Sequence, residues 1–508
     1  MSGTTIGLLI VIVVYLLAMV AIGIWYSSKN NDAGDFYLGG RKLGPIVTAM
    51  SAEASDMSSW LLMGLPGVAY LSGCADAGWT AIGLAVGTYL NWLIVAKRLR
   101  RYTAKANNSI TLPSFFSNRY RDKSRLLLAI SAIFIVVFFI PYTASGFAAC
   151  GKLFSTLFGI PYVPAMIASA VIIVVYTALG GYLAASTTDL IQSIVMTLAL
   201  VIIVIFGINV AGGMDAVIEN AKELPGYLSM FNKHDPTTGT STPYSALTIA
   251  STMAWGLGYF GMPHILLRFM GIKDENKLKI SRRIASVWVI ISMATAILIG
   301  IIGYSMSKAG AIDVLVGSSE AETLIIKVAM ILSEKGILAI ILAGLILAGI
   351  LACTMSTSDS QLLAASSSVS QNLLQDTFRI KMSNKASMLA ARLTVVVISI
   401  IAVIIAWNPN SSVFNIVSFA WAGFGAAFGP IMLFSLFWKR TNKFGALAGM
   451  IVGGVMVFVW KYLIAPNGGI WGIYELLPAF LCSCIVIVVV SLLTPPPAKE
   501  IVEEFESV

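Results

Sequence analysis

The chain is a nearly unbroken succession of apolar runs, each about twenty residues long, and that constrains its fold more than any motif. In a bilayer about 30 Å thick, a run of this length spans as a helix. Only helices and closed barrels satisfy their backbone groups in lipid. Runs of twenty residues without period-two alternation point to helices. Composition agrees, since 58% of the 508 residues are hydrophobic and only 11% are charged. A soluble domain carries about 25% charged residues. The sequence therefore predicts an all-α integral membrane protein with about thirteen crossings, near 6–26, 45–71, 79–98, 127–151, 162–184, 190–211, 247–270, 283–305, 335–372, 388–407, 411–438, 443–464 and 472–493. The ninth is too long for one straight crossing, so a tilted or surface-lying end is expected there. The first run lacks a basic leader and a small-residue cleavage site, so it reads as a retained helix rather than a signal peptide.

Lys and Arg set the orientation. Of the 33 basic residues, 26 fall on one set of alternating loops, with Lys97 to Arg125 the densest segment. Basic loops stay cytoplasmic, which places the N-terminus outside and the C-terminus inside. The net charge of +9 is then mainly an insertion signal, and no nucleic-acid partner is expected. The five cysteines form no CxxC pair, and the two histidines show no ligand spacing. They give no sign of a disulfide framework, a transition-metal site or a cofactor. The tail beyond Pro497 is short and acidic, so no signalling domain is expected.

Two segments combine membrane length with polar and helix-weakening residues. The second, SAEASDMSSWLLMGLPG, carries Glu53, Asp56 and several serines before Gly64, Pro66 and Gly67. The seventh, TMAWGLGYFGMPH, carries Gly256, Gly258, Gly261 and Pro263 within eight residues. Proline removes a backbone donor and glycine weakens a helix, so both segments are expected to unwind near mid-membrane. Ionisable groups at that depth face a cavity and mark a site. The two segments lie five apart in order, as in transporters built from two inverted five-helix repeats. Gly212 with Gly213, and Gly453 with Gly454, read instead as close-packing glycines. In the ninth segment, Cys353, Ser356, Thr357 and Ser360 are spaced to share one helix face. The hydroxyls of Ser356 and Thr357 could meet carbonyls freed in the second segment and form an all-oxygen cage for a hard cation. Ser366, Ser367 and Ser368 read as hydroxyls bonded back to their own helix.

On these residues, with FYLGGRKLGP (36–45), LGGYLAASTTDLIQ (179–192), MSTSDSQLL (355–363) and KRTNKFGALAGMIVGG (439–454), the chain resembles the sodium/solute symporter family. Within it, the chain is most similar to bacterial sodium/proline symporters, over about residues 5 to 495. The resemblance implies a leucine-transporter-type fold. An extra helix and loop would occupy 1–40, the first repeat 41–213, the second 214–440, and two further helices with the acidic tail 441–508. It implies a sodium site from the carbonyls of Ala54, Met57 and Cys353 and the hydroxyls of Ser356 and Thr357. Asp56 and Ser58 would couple sodium to substrate, and L-proline would bind near Ser55, Trp60, Gly64, Tyr142, Trp255, Tyr259 and Pro263. A second cation site at Asp189, Asp359 and Ser360 is one reading, and an ion pair at Asp359 is the other. Glu53 stands where a small residue is common in the family, and a basic partner is one role for it.

A proline site needs a partner for the carboxylate, one for the secondary ammonium, and an apolar wall. A half-helix N-terminus offers the first. Trp255 and Tyr259, at i and i+4, could supply the other two through ring contact and cation–π attraction, or could be ordinary packing. The sequence thus reads as a non-enzymatic sodium-coupled importer in the bacterial cytoplasmic membrane, with sodium, L-proline and lipid as partners. The same fold carrying another amino acid or a carboxylate is the alternative, and a membrane sensor or transceptor a more distant one.

Overall fold

In the computed structural model, residues 2–27 and 37–508 are described, and helices make up nearly all of them. Phe36, the first residue of one motif above, lies outside that set. Ten helices among the described residues are long and apolar enough to cross a membrane. Their outer faces stay apolar, with Leu17, Ile205 and Leu493 all well exposed. Such faces suit lipid and would be a liability in water.

The chain opens with α1 (Gly3–Ser27) and continues into an interrupted segment, α2 (Pro45–Asp56) and α3 (Leu65–Ser72), joined by a π-helical turn at Trp60–Gly64. Then come α4 (Cys74–Leu90, prolonged to Lys105), α5 (Leu112–Arg119) and α6 (Leu126–Phe158). Next are α7 (Tyr162–Ala178) and α8 (Gly181–Val210). The connection that follows holds α9 (Met214–Lys222) and the antiparallel hairpin of β1 (Asn232–Asp235) with β2 (Thr240–Pro243). The second interrupted segment is α10 (Ala246–Met253), a 3-10 stretch (Ala254–Gly261) and α11 (Pro263–Gly271). After it come α12 (Leu278–Lys308), α13 (Leu324–Ser333) and α14 (Ile337–Ser367). The chain ends with α15 (Asn384–Ile405), α16 (Val413–Phe437), α17 (Lys443–Val459), α18 (Leu476–Leu493) and a short tail helix, α19 (Lys499–Glu506).

Three features differ from the sequence reading. The turn expected after residue 184 comes earlier, where Gly181 takes φ 74°. The polar run that suggested a loop stays helical, because Thr187 and Thr188 bond back to the carbonyls of Leu183 and Ala184. Such bonds satisfy hydroxyls inside a helix, and they bury Asp189 at mid-element. The ninth segment runs on from α14 in π geometry over Ser368–Thr377. Finally, Gly212 and Gly213 serve a turn rather than packing, with φ 91° and 102° and mostly open space where a side chain would stand. Gly453 and Gly454 do pack closely, against the Ala426 carbonyl and the Phe134 ring.

The basic loops gather at one end. Arg101 pairs with Glu275, Lys97 reaches Asn276, and Arg121 and Lys439 pair with Glu504 and Glu506 of α19. The dense basic segment is therefore spent on the chain itself. Phe505 of α19 also lies over the guanidinium groups of Arg98 and Arg119, 4.7 and 5.1 Å away.

Backbone contact without side chains fixes the 3-10 stretch against α4. A Cβ on Gly256 would fall 2.1 Å from the Gly83 carbonyl, and one on Gly87 2.3 Å from that of Gly256. The glycines of the seventh segment thus serve close packing as well as flexibility. Gly87→Val is expected to destabilise the fold by about 1–3 kcal/mol through overpacking, read as a lower melting temperature in detergent. Gly3→Ala, with nothing within 4 Å, should leave it unchanged.

Candidate functional site

The interruption of α2 is one residue pair wide. Met57 has φ −74° and ψ 71°. The amide of Ser58, which would continue the helix by bonding to Ala54, bonds instead to the Asp56 carbonyl at 2.8 Å. The Ala54 carbonyl is left free for α14, and the Ser356 hydroxyl donates to it at 2.7 Å while lying 3.2 Å from the Cys353 carbonyl. Thr357, one residue on and equally buried, has a hydroxyl without a hydrogen-bond partner. Ala54, Cys353, Ser356 and Thr357 thus form one oxygen-lined contact between a broken helix and a continuous one, and Met57 is the non-helical residue at its edge. Neutral oxygens fully withdrawn from water suit a hard monovalent cation.

The break falls at Met57–Ser58, well before the GLPG sequence. Pro66 follows the π-helical turn Trp60–Gly64, and the helix runs on through it to Ser72. Gly64 and Gly67 instead allow close approach, Gly64 to Phe414 and Gly67 to the backbone at Ala321 and Glu322.

Asp56 is completely buried and accepts a hydrogen bond from the Tyr259 hydroxyl at 2.5 Å. Its carbonyl receives the indole N–H of Trp60 at 3.2 Å and faces the Tyr142 hydroxyl at 3.4 Å. Here the two interrupted segments meet. Because Ala254–Gly261 is a 3-10 helix, with three residues per turn, Trp255 and Tyr259 do not share a face as an α-helical i, i+4 pair would. Tyr259 goes to Asp56. Trp255 joins an aromatic group with Trp60, Phe414, Trp421 and Tyr474, at centroid distances of 6.3, 5.2, 6.0 and 5.3 Å. Pro263 opens α11 directly after the 3-10 stretch. The Ser55 hydroxyl is bonded to the Ala52 carbonyl of its own helix, and that of Ser58 lies 3.5 Å from the Trp60 amide. Asp56, Trp60, Tyr142 and Tyr259 are each at most 1% exposed, so this junction is shut off from solvent in this structure.

The expected second cation cluster contains a residue to which the sequence reading gave no role. Arg268, only 1% exposed, donates to Asp189 at 3.1 Å, to the Ser51 hydroxyl at 2.9 Å and to the Ser360 hydroxyl at 2.5 Å. Ser360 in turn lies 3.1 Å from Asp359, and Asp189 also accepts from Ser51 at 2.6 Å. A guanidinium therefore neutralises Asp189, while one oxygen of each aspartate has no partner. The sequence signal was present: Arg268 follows Ile265, Leu266 and Leu267 inside the crossing expected at 247–270, where an ionisable group marks a site. A second buried pair joins Lys152 to Glu322 at 2.6 Å. Glu322 also accepts from the amides of Val413 and Phe414, capping α16.

Residues 36–453 match the profile of the sodium:solute symporter family. The chain belongs to that family. The symporter is 42% identical over 505 residues to the sodium/proline symporter of Escherichia coli (strain K12), covering 98% of this chain and 95% of that one. It is 41% identical to the osmoregulated proline transporter OpuE of Bacillus subtilis (strain 168), over 97% of this chain and 96% of that protein. Among solved structures, a sodium-coupled sialic acid symporter in a substrate-bound outward-open state superposes with a TM-score of 0.79 at 19% identity, over 97% of this chain and 99% of that one. MhsT in complex with L-phenylalanine gives 0.55 at 13% identity, over 89% and 98%. The fold is therefore of the leucine-transporter type.

Removing one oxygen from the α2–α14 contact separates ion binding from packing. Ser356→Ala is expected to raise the sodium concentration for half-maximal uptake about tenfold, which corresponds to roughly 1.4 kcal/mol. Substrate affinity at saturating sodium should change far less, as measured by uptake over a sodium series.

Proposed function

We propose that the protein imports L-proline together with sodium across the bacterial cytoplasmic membrane. Thirteen crossings, the repeats at 41–213 and 214–440, an outside N-terminus and a cytoplasmic C-terminus belong to this reading. The observation that carries it is the Ala54 carbonyl, released by the break in α2 and held by Ser356, two residues from an Asp56 that is tied to Tyr259. Ion and substrate regions thus share one interrupted helix. The relatives named sodium/proline symporters supply the cargo.

In this reading sodium takes the oxygens of Ala54, Met57, Cys353, Ser356 and Thr357, replacing the Ser356 hydrogen bond with contacts that tie α2 to α14. Proline lies between the two breaks, its ring against Trp255 and Trp60. The N-terminus of α11, opened by Pro263, offers a positive dipole end to the carboxylate. Asp56 and Tyr259 face the secondary ammonium, with Tyr142 and Gly64 completing the wall. Ser58 holds the turn that presents these carbonyls. The linkage is reciprocal: each ligand raises affinity for the other by one factor. At 100 mV one inward charge supplies about 2.3 kcal/mol, enough for nearly fiftyfold accumulation.

Breaking Arg268 or Asp189 alone would strand a buried charge, at about 3–5 kcal/mol. That cluster is therefore best read as the closure on the basic side of the pocket. Reading it as a second sodium site would first require Arg268 to move.

Labelled proline in proteoliposomes under an imposed inward sodium gradient tests the proposal. Uptake should follow the gradient and rise with an inside-negative potential. Asp56→Asn should abolish it while insertion and folding persist. Uptake indifferent to sodium, or outcompeted by another solute, would sink the reading. Orientation has its own check: Thr238→Cys in the hairpin should react with an impermeant thiol reagent added to intact cells, and Lys105→Cys should not.

A further inference from the structure

Between α8 and α12 the membrane-facing surface is cut by a groove of about 500 Å³. Thr197 and Val201 line it from α8, and Arg283, Val287, Ile291 and Thr295 line it from α12. Val287 and Ile291 are 58% and 59% exposed, so the groove opens away from the junction of the two breaks. The indole N–H of Trp288 donates to the Thr197 hydroxyl at 2.9 Å and joins the two walls. Met50 of α2 also reaches the groove. The Ser281 hydroxyl donates to the Pro45 carbonyl at 2.8 Å, so α12 rests on the first interrupted segment.

The depth of the groove is that of one leaflet. No charged residue occurs in 284–307, so Arg283 marks the last charged level before the hydrocarbon. Thr295 lies twelve residues further along α12. That separation is about 18 Å of helix, against about 15 Å for half of a hydrocarbon core. The groove therefore starts at a cation, runs between apolar walls and stops near the midplane. A single acyl chain beneath its headgroup has the same form.

Charge specifies the headgroup. Lys279 and Arg283 stand at i and i+4 and share a face of α12. Both are exposed, and neither has an acidic partner among the described residues. Arg101, Arg121 and Lys439, at the same end of the bundle, are all paired with acids of the chain. Arg282 is drawn aside, its guanidinium 5.3 Å over the Tyr89 ring of α4. Basic pockets between membrane helices at such a level take anionic lipid headgroups.

We propose that this groove is a binding site for one anionic phospholipid. Its phosphate lies on Arg283 and Lys279, and one acyl chain lies between α8 and α12 as far as Thr295. Trp288 touches that chain, and Met50 brings the lipid against the helix that carries the first break. Such a site is independent of the solute carried.

Trp288 supplies the reporter, because bromine on a lipid chain quenches indole fluorescence on contact. The purified full chain and Trp288→Phe are compared in phosphatidylcholine bilayers containing dibrominated phosphatidylglycerol, or dibrominated phosphatidylcholine at the same fraction. The difference between the two proteins isolates Trp288. Its signal should be quenched at far lower fractions of the phosphatidylglycerol. Lys279→Gln and Arg283→Gln should each lower the apparent affinity for that lipid about fivefold. Thr295→Phe, which fills the inner end and leaves the charges in place, should bring quenching down to the phosphatidylcholine level, and it keeps the site testable if a charge variant folds poorly. Equal quenching by the two lipids in the wild type means an ordinary lipid shell and overturns the site. So does a phosphatidylglycerol preference that survives all three substitutions, since the headgroup is then bound elsewhere. A Trp288 signal quenched by neither lipid means that another protein surface, such as a second copy of the chain, covers the groove, and the proposal falls.

Discussion

The hydrogen bond from Ser356 to the Ala54 carbonyl is the contact around which the rest of the molecule is arranged. It exists only because α2 stops at Asp56 and the Ser58 amide turns inward. A carbonyl released in lipid would be intolerable, since no water is there to receive it. It persists because α14 supplies a donor and the surrounding helices exclude lipid from it. The break therefore has to be enclosed, and the scaffold of long helices is the enclosure.

The fold was legible in the sequence to the extent that single segments dictate it. Apolar length gave the helices, and Pro263 with its neighbouring glycines marked the second interruption. The position of the first was not legible. Pro66 and Gly64 suggested GLPG, yet a π-helical turn carries the helix through Pro66, and the chain yields instead at Met57, in a run of small and polar residues. No local rule identifies that point, because a donor from α14 stabilises it. Asp189 was misjudged for a related reason: hydroxyls that look like a loop can bond back to their own helix.

At the site, residue types were readable and partners were not. The shared face of Ser356 and Thr357 followed from helical spacing alone. The 3-10 geometry that sends Tyr259 to Asp56 and Trp255 to the aromatic group did not, because it depends on Gly256 meeting Gly83 and Gly87. Arg268 had no assigned partner until the structure buried it beside Asp189. Charge pairing across some eighty residues is a property of the packed bundle, and sequence spacing carries no trace of it.

The ion pairs fall into two populations with different sensitivities to the medium. Lys152–Glu322 and Arg268–Asp189 are at most 5% exposed, while Arg121–Glu504 and Lys439–Glu506 are open to solvent on at least one side. Mobile ions screen exposed charges within about 8 Å at physiological ionic strength and reach buried ones far less. A rise in salt in the solution around α19 therefore loosens the grip on that helix first and leaves Lys152–Glu322 and Arg268–Asp189 nearly as strong as before. The tail helix responds to the ionic composition of the solution that bathes it, and the transport path does not.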